Sequence, residues 1–259
     1  MMFGFLSRDK ALIDNDTRAW LFDTFDWAIR NFDGQAMWQE TQLVLPTNEF
    51  YPGRVASVAQ MADSIFRHSV IYAGMKSWPL QLTERHQYQP QAIPEFTIEG
   101  GLRGANVVIA QNENRPLTIV YSAQQINQPQ DMIASYVQQL AFGLIQQQKV
   151  LPPGGKECIA QAIEVLACVM GFGVIFANTA YQFKGGCGSC YNPQANRQAA
   201  LPENDSLYCL ALFSYLKSIP VKQVTRHLKP HLRVNYKCMV KELTQTLSGS
   251  NSYQFLTLQ

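Results

Sequence analysis

The side chains with the clearest chemical potential are two cysteines and two histidines in the C-terminal half. Cys187 and Cys190 form a C-x-x-C pair in a glycine-rich loop, and His227 and His231 are spaced i and i+4. Cysteine thiolates and imidazole nitrogens suit zinc, so these four residues could form a Cys₂His₂ site. The 37-residue gap from Cys190 to His227 is long for such a site, and Pro230 lies between the histidines.

Two other interpretations of the cysteine pair stay open. A redox-active dithiol has the same C-x-x-C spacing, although thioredoxin-type motifs begin a helix that directly follows a strand. The simplest interpretation is a surface loop that carries two unpaired thiols. The cysteine loop therefore supports only an alternative function for this chain, which is either a structural zinc site or a metal-dependent activity.

The most hydrophobic part of the chain consists of two predicted helices, at residues 131–148 and 157–183. Three polar side chains, Gln138, Gln139 and Glu164, interrupt this apolar pattern. Buried polar groups need hydrogen-bond partners, and Gln139 and Glu164 could meet across the two helices as a structural hydrogen bond. In the plainest interpretation the two glutamines only bond to neighbours or to water inside a buried helix.

Composition and charge restrict the class of protein. The 259 residues are 47% hydrophobic and 15% charged, with a net charge of +2, which indicates a globular protein and not a disordered one. The positive residues do not form a long run, which argues against nucleic-acid binding. The start of the chain lacks the pattern of a secretory signal, and the apolar run at residues 165–177 is shorter than the roughly 20 residues of a membrane span. We expect a cytoplasmic protein with reduced cysteines that does not bind membranes.

The order of the predicted elements indicates an α+β fold, because strands and helices are segregated along the chain. A helix that Asp14 or Asp16 can cap, with Leu21, Phe25 and Ala28 on its apolar face, ends near residue 32, and a second occupies residues 55–75. Asn112 and Asn114 lie between the last two strands and suggest a hairpin. We expect a small, mostly antiparallel sheet packed on a C-terminal helical half, in one domain of residues 1–259 whose parts are 1–129, 130–247 and a loose tail at 248–259. The predicted strands are residues 41–45, 80–82, 96–99, 105–110 and 117–122, and the last predicted helices are residues 206–219, 221–228 and 231–247.

Three sequence patterns carry a resemblance to a known family. They are L-P-T-N-E-F-Y-P at residues 45–52, G-F-G-V-I-F-A-N-T-A-Y at residues 171–181, and Y-C-L-A-L-F-S-Y-L at residues 208–216. The chain resembles, from about residue 18 to residue 245, a family of uncharacterised bacterial proteins with a zincin-like, metallopeptidase-type fold. The resemblance implies a zincin-like fold with two central helices, of which the first carries H-E-L-x-H in the family.

The resemblance also implies which positions would hold zinc, and all of them are changed. In the family motif two histidines bind the metal and the glutamate acts as general base. Those positions are Gln138, Gln139 and Phe142 here, and the acidic positions of the second helix are Ala160 and Glu164. An amide is a poor zinc ligand and cannot accept a proton as a base. We therefore predict no cofactor and a catalytically inactive metallopeptidase-like protein that keeps its scaffold to bind a protein or peptide partner.

Overall fold

The computed structural model describes residues 12–53, 56–110, 115–180 and 195–248. It confirms an α+β chain with long helices and short strands. The elements in order are α1 (Asn15–Asn31), α2 (Gly34–Gln39), α3 (Val58–Tyr72), β1 (Leu80–Glu84), β2 (Ile98–Gly100), β3 (Val107–Ile109), β4 (Leu117–Tyr121), α4 (Pro129–Gln148), α5 (Ile159–Ala167), α6 (Gly173–Thr179), α7 (Glu203–Leu216), α8 (Val221–Thr225) and α9 (Leu232–Ser248).

Helix α1 is stabilised by a cap and an apolar face that are both local in the sequence. The Asp14 carboxylate accepts a hydrogen bond from the Thr17 backbone N–H at 2.8 Å, which satisfies one of the free donors of the first turn. Leu21, Phe25 and Ala28 share one face at helical spacing, and each is fully buried. This face anchors the N-terminal part of the chain to the core.

The predicted single, mostly antiparallel sheet is wrong. Strands β1 and β4 form a parallel pair with Leu80 opposite Leu117, and β2 and β3 form a separate antiparallel pair. The predicted hairpin between β3 and β4 is therefore also wrong, because β4 turns away from β3 to pair with β1. Strands of three to five residues carry too little alternation to specify their partners. Asn112 and Asn114 lie outside the described residues.

Residues 41–45 do not form the predicted strand. Leu43, Val44 and Leu45 are buried, but this segment contacts a helical segment and does not join a sheet. The Val44 backbone N–H donates to the Gly171 carbonyl at 2.9 Å. Its strand-like pattern therefore reflects the burial of residues 43–45 and not a place in a sheet.

The predicted continuous helix over residues 157–183 is interrupted. A 3₁₀ turn (Gly155–Cys158) precedes α5, and a π-helical segment (Cys168–Phe172) separates α5 from α6. Gly171 has a φ of 93°, and a Cβ at this position would lie 2.2 Å from the Gln42 carbonyl oxygen. Only glycine permits both the left-handed backbone and the close approach of residues 41–45.

Helices α4 and α5 lie in the centre of the core, as their hydrophobicity predicts. Within the described part of the chain, one helical run, Gly155–Thr179, is long and apolar enough to cross a membrane, and 78% of its most apolar window is buried in the protein. A core helix of a soluble protein has the same properties. Cys168 and Cys209 are free and buried there, whereas Cys158 is partly exposed.

Candidate functional site

The polar side chains of α4 and α5 meet, but not in the predicted pairing. Gln138 donates from Nε2 to Glu164 Oε1 at 3.0 Å and to the Gln198 carbonyl at 3.1 Å. The possible contact between Gln139 and Glu164 does not form, because Gln139 lies on the side of α4 that faces β4. The two helices nonetheless bring a glutamine and a carboxylate together at the positions where the resemblance implies metal ligands.

The Glu164 carboxylate is buried and fully engaged. Its residue has 0% exposure, and Oε1 accepts from the Gln138 amide, the Ala200 backbone N–H at 2.8 Å and the Arg197 guanidinium. Oε2 accepts from the Leu201 backbone N–H at 3.3 Å. A buried carboxylate needs a counter-charge and several donors, and Glu164 has both.

Arg197 supplies that counter-charge, and the sequence analysis missed it. Its Nε donates to Thr179 Oγ1 at 2.6 Å, its Nη1 to Glu164, and its Nη2 to the Phe176 carbonyl at 3.1 Å. The guanidinium carbon also lies 4.6 Å from the centre of the Phe176 ring. The Arg197 backbone N–H donates to Asp131 at 2.9 Å, while burial raises the pKa of the Asp131 carboxyl. Because these partners are 18 to 66 residues away in sequence, no local spacing signals the ion pair.

Gln139 caps the free edge of β4. Its Oε1 accepts from the Val120 backbone N–H at 2.7 Å, and its Nε2 donates to the Val120 carbonyl at 2.8 Å. The same Nε2 also donates to the Ser135 carbonyl at 3.0 Å. The side-chain amide thus bonds to Val120 as a peptide group of a neighbouring strand would.

A groove opens between this strand edge and α4. Its volume is about 540 Å³, and it lies where the two parallel strands end. The Arg197 guanidinium is buried beneath its wall, and Arg85 on the rim is exposed. Carboxylates are absent from the described lining, which consists of Arg85, Tyr88, Val120, Tyr121, Ser122, Gln125, Ser135, Gln138, Gln139, Phe142 and residues 196–198.

The remaining two positions implied by the resemblance lie apart. Phe142 is partly buried and presents its side chain to the groove. Ala160 is exposed in the first turn of α5 and does not line the groove. Neither side chain offers a donor atom to a metal.

The described residues do not fit a zinc site at these helices. Zinc sites in proteins use three or four thiolate, imidazole or carboxylate ligands. Here only Glu164 has such a group, and its two oxygens already accept four hydrogen bonds. Over the described ranges, no cluster of three His, Cys, Asp or Glu side chains could hold a metal ion.

The alternative site is only partly visible, since Cys187 and Cys190 lie outside the described residues. His231 is exposed, and its Nε2 lies 3.0 Å from Glu203 Oε1. His227 is partly buried in the turn after α8, and burial, with a contribution from Arg226, lowers its pKa. A low imidazole pKa favours the neutral form that binds metals, but His231 already has a carboxylate partner.

Comparisons of the chain with protein-family models, curated proteins and solved structures gave no match. The zincin-like family therefore stays an expectation that depends on the three sequence patterns.

Proposed function

We propose that this chain is a non-catalytic, metallopeptidase-like binding protein whose groove between β4 and α4 takes an extended peptide segment of a partner. The observation that carries the proposal is the ion pair of Glu164 and Arg197 beside an open groove of about 540 Å³. The site has internal charge balance without a metal, and still leaves space for a ligand.

The electrostatics support a site that works without a cation. A lone buried carboxylate would attract a metal ion or a proton, because an uncompensated charge in the core is costly. The Arg197 guanidinium supplies this positive charge at Glu164 Oε1, and its side chain has 0% exposure. Zinc would have to displace the guanidinium and three further hydrogen-bond donors from Glu164.

The strand edge supports a peptide ligand. Extended peptides bind exposed sheet edges through backbone hydrogen bonds, and side-chain pockets add specificity. The outer edge of β4 faces the groove at Val120, and the Gln139 amide marks the position of a neighbouring peptide group. A bound segment would displace that amide or pair with the strand on either side of Val120.

The first experiment measures bound metal. Elemental analysis of the purified full chain, before and after incubation with zinc, is expected to give well below one equivalent at the α4–α5 site. The Gln138→Ala variant is then unchanged, as is the control Gln148→Ala at the exposed end of α4. Stoichiometric zinc that disappears in Gln138→Ala alone would refute the proposal. Zinc that disappears only in a Cys187→Ser/Cys190→Ser variant would instead assign it to the cysteine loop.

The second experiment tests the groove as a peptide site. An array of 12-residue peptides of varied sequence is probed with the full chain, and the best binder is measured by calorimetry. Gln198 is exposed at the groove wall, so Gln198→Trp fills the space and is expected to weaken binding at least tenfold. Gln223→Trp, exposed on α8, is the matched control. Equal affinity of both variants for the peptide would place binding elsewhere.

A further inference from the structure

The last two helices carry an excess of positive charge. Residues 217–248 contain seven Lys and Arg residues and one acidic residue, so their net charge is +6. The whole chain has a net charge of +2, so the other residues together have a net charge of −4. Charge that is segregated in this way gives one part of the surface a positive potential and attracts acidic partners to it.

Three of these cations form a row along α9. Arg233, Lys237 and Lys241 follow one another at four-residue spacing, which places them on one side of the helix and about 6 Å apart along its axis. Lys237 and Lys241 are exposed, and Arg233 is partly exposed. The core-facing side of α9 includes Tyr236 and Met239, which have 0% exposure, so the row is fixed to the body of the protein.

Two more cations lie beside the start of this row. Arg226 and Lys229 are exposed on either side of Leu228 in the turn that follows α8. The Leu228 carbonyl accepts a hydrogen bond from Arg233 Nε at 2.9 Å, which ties this turn to the first cation of the row. The five side chains that we call the basic surface are Arg226, Lys229, Arg233, Lys237 and Lys241.

The carboxylates nearest in sequence to the basic surface are engaged elsewhere. Glu242 on α9 forms an ion pair with Arg18 of α1 at 2.6 Å, and Glu203 lies 3.0 Å from His231. In the described part of the chain, none of the five cations forms an ion pair with a carboxylate. The segments outside it contain two acidic side chains. The chain itself therefore leaves most of this positive charge to a partner.

An exposed valine indicates the kind of partner. Val234 lies between Arg233 and Lys237 in the sequence, on the solvent side of α9, and is 67% exposed. Protein interfaces combine apolar contact of this kind with charged residues at the rim. Single-stranded nucleic acids stack on aromatic side chains, and membrane-surface helices insert several large apolar ones. The other exposed uncharged residues of α9 are Cys238, Thr244 and Gln245.

We propose that the basic surface binds an acidic segment of a partner protein, with carboxylates about 6 Å apart and an apolar side chain between them. A partner helix with a glutamate at every fourth position has this repeat, because it rises by the same 1.5 Å per residue as α9. One exposed ion pair contributes little, so binding depends on several pairs and is weakened by salt. None of the five cations lines the groove between β4 and α4, so this surface is separate from the proposed peptide site.

The experiment measures binding of the full chain to a fluorescent helical peptide with a glutamate at every fourth position and alanine or leucine between them. Fluorescence anisotropy follows the complex. A matched peptide with glutamine at the same positions is expected to bind at least tenfold more weakly. Raising the salt concentration from about 0.05 M to about 0.5 M should weaken binding of the acidic peptide at least tenfold.

A pair of charge-reversed variants locates the binding site. Lys237→Glu/Lys241→Glu reverses the row on α9 and should weaken binding of the acidic peptide at least tenfold. The control Lys76→Glu/Lys156→Glu changes two exposed lysines elsewhere and gives the same net charge of −2, so it should weaken binding less than about threefold. Gln198→Trp, which fills the groove, should leave this binding unchanged.

Several outcomes would overturn the proposal. They are no binding of the acidic peptide, an equal loss in both charge-reversed variants, or a loss in Gln198→Trp, which would place the peptide in the groove. Tighter binding to a DNA oligonucleotide or to vesicles that contain phosphatidylserine would assign the surface to a nucleic acid or a membrane instead. The groove as a peptide site is tested separately by array-selected peptides and does not depend on these results.

Discussion

Two arginines are buried within the described ranges, and they are held in different ways. The guanidinium of Arg197 contacts a carboxylate, a hydroxyl and a carbonyl, and stacks on an aromatic ring. The guanidinium of Arg103 contacts only neutral acceptors, the Phe32 carbonyl at 3.1 Å and Thr41 Oγ1 at 3.0 Å, and its Nη2 has no partner among the described residues. The first charge is neutralised by contact, and the second is not.

The comparison of Arg103 with Arg197 shows that a buried charge does not by itself indicate a functional site. Burial lowers the pKa of Arg103 to about 10, while Asp33 and Glu40 act against this shift from a distance. Arg103 joins the end of α1 to residues 41–45 and so fixes the chain path. Arg197 instead neutralises the Glu164 carboxylate beside a groove.

The largest loss of stability is expected when the carboxylate partner of Arg197 is removed. Glu164→Gln leaves a buried guanidinium without its counter-charge, and should lower the free energy of unfolding by about 3–5 kcal/mol. Urea denaturation measures the loss. The control Glu95→Gln breaks an exposed pair with Lys149, and should change stability by less than about 1 kcal/mol. A Glu164 variant as stable as this control would contradict a strong ion pair.

A smaller loss of stability is expected when Arg103 is replaced. Arg103→Met keeps most of the side-chain packing and removes two hydrogen bonds to neutral acceptors, so we expect a loss of about 1–2 kcal/mol in the free energy of unfolding. The same urea experiment measures it. A loss as large as that of Glu164→Gln would show that the two arginines do not differ in the way the contacts indicate.

Gln139 tests whether the groove edge is preformed. Gln139→Ala removes the amide that pairs with Val120, and should destabilise the protein by about 1 kcal/mol. It should also increase the affinity for an array-selected peptide, because the competing amide is gone. The neighbouring Gln138→Ala does not expose the strand edge and serves as the control. Unchanged or weaker peptide binding in Gln139→Ala would argue against pairing at Val120.

A pH dependence of stability is expected at Asp205, a partly buried carboxyl outside both arginine sites. Burial, with a contribution from Asp14, raises its pKa to about 6 from the ordinary 3.8. The folded protein therefore binds a proton more tightly than the unfolded chain, and this contribution to stability is lost as the pH rises from about 4 to about 6. The stability of Asp205→Asn, measured by thermal unfolding over the same pH range, should not show this decline. A parallel decline in both proteins would exclude Asp205 as its source.

Prediction from the sequence succeeded where the determining contacts are local. The apolar face of α1 lies within one helix, so spacing alone predicts it, and the sequence leaves Asp14 and Asp16 as the candidate caps, of which Asp14 caps the helix. The sheet could not be predicted, because β1 pairs with β4 across more than thirty residues and each strand is short. The break at Gly171 depends on contact with Gln42, which no spacing in the sequence indicates.

The candidate site shows the same limit. Hydrophobicity and the resemblance place the candidate site on two apolar helices, but the contact there joins Gln138 to Glu164, and not Gln139 as considered from the sequence. Arg197 was not predicted as a site residue, because an isolated arginine in a polar loop is usually exposed. Its burial is evident only in the folded structure. The pairing of Gln139 with Val120 likewise required the position of β4.

The glycine at position 171 has a consequence for the ion pair some distance away. Glu164 precedes the break in the helix, and Phe176 and Thr179 follow it, yet all three bond to one guanidinium. A methyl group at position 171 would collide with Gln42 and change how the two helical segments are set against each other. Because Gly171 has a hydrogen atom in place of a Cβ, the two segments can pack so that both bond to the guanidinium of Arg197.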